Sequence, residues 1–206
     1  MANEIAKKIS DWDTERFRLG SILPDAYAKS LGTASSHLKM KINNDTQKTY
    51  KLTWFRDKYK KEMQQDGLYL GYYMHLIQDI IFRRFVYNDY KWNPVPEGNI
   101  QRLHNDYGLL NPYLIDKYAI SVEIDIPCDI NGEELMKIYP FDLEQLKINL
   151  KNDFEIFYQG TTFFFTEQMA DEYIQKTTKM CVAEIQAIQQ GHYIIEEESY
   201  AWPAHP

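Results

Sequence analysis

The residues best suited to chemistry in this sequence are a histidine and an aspartate four positions apart, His75 and Asp79. Side chains with this spacing project from the same face of a helix, so the imidazole and the carboxylate would be neighbours. The surrounding segment is apolar, and an unpaired carboxylate in such a segment is very unfavourable. Asp79 therefore needs a metal ion or a structural pairing with His75 or an arginine. The spacing alone leaves both alternatives open.

Two further candidate ligands lie upstream, on predicted loops. Asp25 follows Pro24 in the loop 20–26, and His37 lies in the small, polar segment 30–46, which also reads as a loop. Loops of this kind can bring an oxygen and an imidazole over a buried helix. Two histidines and two carboxylates form a donor set suited to zinc, manganese or iron. On spacing alone, Asp25 as a turn residue and His37 as a surface residue remain alternatives.

Two other residues are candidates for a catalytic role. His104 could act as an acid or base near the metal, or join Asp106 in a second metal site. A solvent-facing or core-satisfied histidine is the alternative. Arg83 lies four residues after Asp79, so it could clamp a phosphate or form a salt bridge with that aspartate.

The helix that carries His75 and Asp79 should lie at the centre of the domain. Segment 67–87 is apolar on nearly all sides until Arg83, which is typical of a helix buried all round. Capping signals predict where two other helices begin. The further predicted helices are 50–65, 99–118 with an interruption or kink near Pro112, one that begins at Leu143, and one that follows Thr166 and ends near Gln189.

The predicted fold class is mainly α, a single-domain helical bundle with a buried central helix and a small β-hairpin. Alternating apolar residues at 121–126 predict a short strand, and the Asn131-Gly132 turn signal nearby favours a hairpin. Residues 1–190 are expected to form one helical metal-binding domain. Residues 191–206 form an acidic tail that contains proline, and we expect it to be loosely packed.

Composition narrows the class of protein. The 206 residues fit one domain, and a hydrophobic fraction of 44% with 15% aromatics excludes a disordered chain. A net charge of −7 leaves no basic footprint, so a small-molecule substrate is expected rather than nucleic acid. The sequence has no stretch of about 20 apolar residues and no apolar leader segment, which predicts a cytoplasmic protein without a transmembrane span.

Three strings together resemble the bacterial zinc-dependent phospholipase C-like family. They are FRLGSILPDAY at 17–27, SSHLK at 35–39 and YLGYYMHLIQD at 69–79. Their order matches the family pattern of a G-x-x-x-P-D loop, a downstream S/T-H, and a helix with L-G-Y-x-x-H-x-x-x-D. The likeness covers roughly residues 1–118. In that family, and in the related fungal single-strand-specific nucleases, the motif residues share one zinc, which implies the ligands Asp25, His37, His75 and Asp79.

The chain also departs from the family. Well-characterised members bind three zincs and use an N-terminal histidine or terminal amine together with a later His…His-x-x-x-Glu set. No histidine precedes His37, and nothing after His75 reproduces the later set. The resemblance therefore implies one metal site, with zinc as the expected ion.

The expected function is metal-dependent hydrolysis of a phosphoester by a metal-activated water. A hydrolase of this kind needs an open coordination position, and four protein ligands on a tetrahedral zinc would leave none. Two alternatives therefore stay open. One is a non-catalytic helical domain with a structural metal, and the other is a metal-free interaction module.

Overall fold

The computed structural model describes residues 1–9, 11–27 and 32–204 and confirms a mainly helical fold. In this part the α-helices are α1 (Ala2–Ala6), α2 (Thr14–Gly20), α3 (Thr33–Ser36), α4 (Leu52–Gln65), α5 (Gly67–Arg84), α6 (Asn99–Tyr118), α7 (Leu143–Glu155) and α8 (Glu167–Gln189). The strands are β1 (Lys39–Ile42), β2 (Gln47–Tyr50) and β3 (Trp202–Pro203), in an antiparallel sheet of order β1-β2-β3. None of the helices in the described ranges combines the length and apolarity needed to cross a bilayer.

Helix α5 is the central helix, as its apolar sequence predicts. Fourteen of its 18 residues are buried, and α2, α4 and α8 pack around it. The Asp66 side chain caps its start by accepting a hydrogen bond from the Leu68 amide at 2.9 Å. Its axis continues after Arg84 as a turn of π-helix, Phe85–Asp89. A polar side chain on such a helix needs a partner from a neighbouring element.

Helices α2 and α5 approach so closely that their contact requires glycine. A Cβ on Gly20 would lie 2.1 Å from a carbonyl oxygen of α5, and a Cβ on Gly71 would lie 2.2 Å from the Phe17 carbonyl oxygen. Both distances are far shorter than van der Waals contact, so a larger residue would force the backbones apart. His75 lies one turn after Gly71, and Ser21 follows Gly20. The helix contact therefore sets the distance between these two residues.

The β-hairpin lies in a different place from the one predicted. Residues 121–126 contain no strand, and Ile130–Gly132 forms a 3-10 helix. The hairpin is formed by β1 and β2, with Lys39 opposite Tyr50. This region overlaps the segment predicted as a loop, of which residues 30 and 31 lie outside the described part.

A run of left-handed residues makes the observed hairpin turn. Asn43, Asn44 and Asp45 have φ angles of 53°, 53° and 64°. Asparagine and aspartate enter this region more readily than other non-glycine residues. The flanking strands are short and rich in lysine, so they lack the apolar alternation by which a half-buried strand is recognised in a sequence.

The C-terminal segment is packed, contrary to the loose tail expected from its composition. Ile195 and Trp202 are only 3% and 5% exposed, and β3 pairs with β2. The buried carboxylate of Glu184 accepts hydrogen bonds from the amides of Ile194 and Ile195 at 2.8 and 3.0 Å. The apolar residues of this segment, rather than its net charge, decide that it joins the core.

Capping signals located two helix starts correctly. Asp142 accepts a hydrogen bond from the Gln145 amide at the start of α7, and Thr166 accepts one from the Met169 amide at the start of α8. Helix α6 continues past Pro112 without the predicted interruption.

The Asp106 carboxylate holds the segment that leads into α8. Its oxygens accept hydrogen bonds from three consecutive backbone amides, those of Phe163, Phe164 and Phe165, at 2.7 to 2.8 Å. Asp106 is 1% exposed, so its removal would leave these donors poorly satisfied. We expect Asp106→Ala to lower the free energy of unfolding by about 3 kcal/mol, measured by urea denaturation. A loss below about 0.5 kcal/mol, as expected for a surface site, would contradict this role.

Candidate metal centre

The His75 ring is oriented by a backbone carbonyl. Its Nδ1 lies 2.8 Å from the Ser21 carbonyl oxygen, and the residue is 8% exposed. A carbonyl can only accept a hydrogen bond, so Nδ1 carries the proton and Nε2 of the neutral ring presents a lone pair. Ser21 caps the C-terminus of α2, where helix carbonyls lack intrahelical partners. A histidine held in this way is typical of a metal ligand.

His37 faces His75 from the segment between α3 and β1. Its Nε2 lies 3.2 Å from Nε2 of His75, and the residue is 4% exposed. Its Nδ1 lies 3.1 Å from the Ser36 hydroxyl, and the Ser36 carbonyl accepts a hydrogen bond from the Tyr72 hydroxyl. Tyr72 lies on α5 one turn before His75. The central helix therefore positions both imidazoles.

Asp25 places a carboxylate oxygen close to the His37 imidazole. It ends the short 3-10 helix Leu23–Asp25, and its amide donates to the Ile22 carbonyl at 3.0 Å. Its Oδ1 lies 3.2 Å from Nε2 of His37, and 54% of its side chain is exposed. One ligand atom from each of Asp25, His37 and His75 lies within 4.8 Å of the others, so these three residues could hold a metal ion.

Asp79 lies slightly farther from His37 than Asp25 does, and it also lies within 4 Å of His75. Its Oδ2 is 3.7 Å from Nε2 of His37, and its Oδ1 is 3.9 Å from Nε2 of His75. Its Oδ2 also accepts a hydrogen bond from the Tyr50 hydroxyl at 3.0 Å. Asp79 is thus outside the three-residue cluster but within 4 Å of both imidazoles, Tyr50 holds its carboxylate, and its role as a ligand stays a prediction.

These distances suit a small divalent cation. Bonds of about 2.0–2.1 Å at tetrahedral angles place neighbouring ligand atoms about 3.3 Å apart. The two 3.2 Å contacts of His37 Nε2 match this spacing, whereas the Asp79 oxygens lie a few tenths of an ångström beyond it. When both imidazoles are neutral and unprotonated at Nε2, their facing lone pairs repel, and a cation between them is then favoured. A metal ion and a proton are the two cations that could fill this space.

The charge around the histidines also favours a cation. Burial alone would lower the pKa of His75, but the carboxylates of Asp25 and Asp79 raise it above the ordinary value. Burial would raise the pKa of Asp25, but His75 and the hydrogen bond to His37 lower it overall. The two shifts share one cause, the attraction between the Asp25 carboxylate and a protonated His75.

Arg83 and Asp79 both interact with the hydroxyl of Tyr50. The Arg83 guanidinium interacts with it electrostatically, and the hydroxyl itself donates a hydrogen bond to Asp79. Burial, reinforced by Asp79, raises the pKa of Tyr50 well above its ordinary value, so the phenol stays protonated as a donor. Arg83 is attracted electrostatically to Asp79 and lies on the wall of a cavity, so both roles predicted for it, the salt bridge and the phosphate clamp, stay predictions.

That cavity opens beside the metal centre and has a volume of about 460 Å³. The ionisable residues next to the proposed ligands on its wall are Asp25, His37, Lys39, Asp79 and Arg83, and Asn111 and four tyrosines add further polar groups. Apolar side chains of α6, α8 and neighbouring segments line the rest, among them Leu110, Leu114, Phe165, Ala170 and Ile174. The volume is in the range of small-molecule sites.

His104 lies outside the cavity wall. It is exposed on α6 and packs against Tyr107, with ring centroids 5.8 Å apart. Burial and the nearby charge of Arg83 lower its pKa. Asp106, its proposed partner in a second metal site, instead binds backbone amides. Both carboxylate oxygens of Asp106 thus serve the fold, which argues against the second-site alternative, and a catalytic role for His104 stays a prediction.

Sequence reasoning missed several residues that shape the site. Tyr50 and Lys39 face each other in the β1–β2 hairpin, whereas the sequence pattern assigned Lys39 to a loop and Tyr50 to the start of a helix. The hydrogen bond from Tyr72 to the His37 segment has no signal in the sequence. The role of the Ser21 backbone carbonyl cannot be recognised from the residue type, although the Gly20 before it indicates a bend near the ligand helix. Only the G-x-x-x-P-D spacing would have drawn attention to this position.

Comparison of the chain with family models, with curated proteins and with solved structures gave no match. The resemblance to the phospholipase C-like family therefore stays a prediction from motif order and spacing.

Proposed function

We propose that this protein binds one divalent cation, zinc being the expected ion, and hydrolyses a phosphoester. The observation that supports this most is the pair of buried histidines whose Nε2 atoms, 3.2 Å apart, face Asp25 and Asp79 beside a cavity. In the proposal Asp25, His37 and His75 bind the ion, and Asp79 is the fourth ligand. The family resemblance assigns zinc to the same four residues.

Each residue has a defined role in this proposal. When bound, the cation would lower the pKa of a coordinated water from 15.7 towards about 7 and so supply a nucleophile at neutral pH. Ser21 holds the His75 tautomer through Nδ1, and Tyr50 holds the Asp79 carboxylate. Arg83 binds the anionic phosphoryl group and stabilises the charge that develops on it. Its place on the cavity wall, one turn after Asp79, suits this role.

An open site supports catalysis over a purely structural metal. Structural zinc sites are closed by four protein ligands, whereas catalytic sites keep a position for water or substrate. Asp25 is 54% exposed and lines the cavity together with His37 and Asp79. The longer distances of Asp79 also suit a weak fourth ligand.

The direct test is a hydrolysis screen of the purified protein with added zinc. Aryl phosphomonoesters and phosphodiesters would be assayed against the wild type, the chelator-treated protein and His75→Ala. The proposal expects hydrolysis of at least one class that disappears with chelator, returns with zinc and is absent in the variant. Zinc binding without hydrolysis of either class would instead support the structural-metal alternative.

Arg83→Met tests the anion-binding role separately from metal binding. We expect kcat/KM for the phosphoester to fall by about 10²- to 10³-fold, the range seen when one stabilising donor of a transition state is removed. Zinc content should stay at the wild-type value, because Arg83 is not a ligand. Arg84→Met is the matched control, since Arg84 donates to the Ser199 carbonyl and is exposed away from the cavity. Equal kinetics in the two variants would remove Arg83 from the mechanism.

A further inference from the structure

The cavity beside the metal centre is strongly divided by polarity. Its charged side chains are clustered at the ligand end, whereas the rest of its wall is mostly apolar and aromatic, with Asn111 as a further polar side chain. Phe165, Ala170 and Ile174 come from the start of α8 and the segment before it, and Leu110 and Leu114 come from one face of α6. These five residues, named here the apolar arm, have few polar atoms to offer a ligand. A ligand that fills the arm gains by removing apolar surface from water.

The charges at the ligand end of the cavity favour a doubly charged anion. The lining carboxylates of Asp25 and Asp79 balance the lining cations of Lys39 and Arg83. A bound divalent cation, as in the proposed function, brings the sum of these charges to two positive units. A phosphomonoester carries about −1.5 to −2 charge at pH 7, whereas a diester carries about −1.

From the polarity and the charge we infer that the substrate is a phosphomonoester whose alcohol carries one bulky apolar or aromatic group. The phosphoryl group would lie between the metal, Lys39 and Arg83, and the apolar group would occupy the apolar arm. This inference rests on the proposed function and adds the substrate class to it. Water attack would break the phosphorus–oxygen bond, releasing inorganic phosphate and the apolar alcohol, which takes up a proton.

Binding of unhydrolysable phosphonates tests this inference without an activity assay. Isothermal titration calorimetry of the zinc-loaded protein would compare 1-naphthylphosphonate, methylphosphonate and the singly charged methyl ester of 1-naphthylphosphonate. We expect the naphthyl compound to bind at least about tenfold more tightly than methylphosphonate because its rings are buried. It should also bind about tenfold more tightly than its methyl ester, and Lys39→Met should reduce that second preference.

A substitution that fills the apolar arm is the most specific test of where the apolar group binds. Ala170 is 1% exposed and lines the cavity, so Ala170→Leu should reduce naphthyl binding about tenfold while leaving methylphosphonate binding unchanged. Ala183→Leu, a change of the same size on α8 but outside the cavity wall, is the matched control. Thermal melting of both variants would show that each is folded. If Ala170→Leu disturbs folding, Leu114→Gln tests the same arm by polarity rather than volume.

The possible failures are distinguishable. Zinc-dependent binding of methylphosphonate with no gain from the naphthyl group would overturn the inference and leave the proposed function standing. Tighter binding of the singly charged ester than of the dianion would overturn the monoester assignment. Absence of zinc-dependent binding for all three compounds would overturn the inference together with the proposed function.

Discussion

Replacement of His75 by alanine should abolish zinc binding. Wild-type protein purified without chelator and supplied with zinc is expected to retain about one zinc per chain, whereas His75→Ala should retain a trace. The variant loses a ligand whose Nδ1 is fixed by the Ser21 carbonyl and whose Nε2 faces His37. Loss of a hydrogen-bonding partner of a ligand already lowers affinity 10- to 100-fold, so loss of the ligand should lower it by about a hundredfold or more.

Thermal melting measures the loss of zinc binding in His75→Ala independently. A ligand present at 100 times its dissociation constant stabilises the folded state by about 2.7 kcal/mol, which corresponds to about 5–10 °C for a chain of this size. Zinc should raise the melting temperature of the wild type by this amount and leave that of His75→Ala unchanged. His104→Ala is the control, because His104 is exposed and lies outside the three-residue cluster. Equal zinc content in both variants would remove the metal assignment.

Gly71→Ala should destabilise the fold strongly. The new methyl group would lie 2.2 Å from the Phe17 carbonyl oxygen and 2.9 Å from the Ser21 amide nitrogen, so α2 and α5 must separate. The better helix propensity of alanine offsets only about 1 kcal/mol. We expect a net loss of about 3 kcal/mol, or about 6–12 °C in melting temperature. Zinc affinity should fall as well, since the displacement moves the Ser21 carbonyl away from His75.

Gly132→Ala is the matched control for this substitution. A Cβ at Gly132 would meet no atom within 4 Å, and its φ angle is not in the left-handed region. Its melting temperature should therefore stay close to that of the wild type. If Gly71→Ala melts at the same temperature as this control, the close contact between α2 and α5 does not position the site.

The central part of the fold could be predicted because local signals there agree with the packing. The apolar sequence of 67–87 predicted a buried helix, and α5 is that helix. Asp142 and Thr166 located helix starts because capping depends only on neighbouring amides. The hairpin could not be found in this way. Its strands are short and lysine-rich, and β2 also pairs with the strand of Trp202, more than 150 residues away along the chain.

The ligand set was predictable only in part. The spacing of His75 and Asp79 places them on one helix face, but nothing local states that Asp25 and His37 meet them. That convergence depends on the glycine contact between α2 and α5 and on the hydrogen bond from Tyr72 to Ser36. Asp106 had the residue type of a ligand but serves three backbone amides, which spacing does not reveal. Residue types therefore identified the candidate ligands, and tertiary contacts determine which of these residues come together.

The most direct test of the account is the position of the metal in a crystal of the zinc-loaded protein. Anomalous diffraction measured on both sides of the zinc absorption edge would locate the ion independently of any assumed ligand. We predict a single strong peak about 2.0–2.2 Å from Nε2 of both His37 and His75 and from an oxygen of Asp25. A fully zinc-loaded crystal with no peak between the two imidazoles, or with its peak at another histidine, would contradict the account.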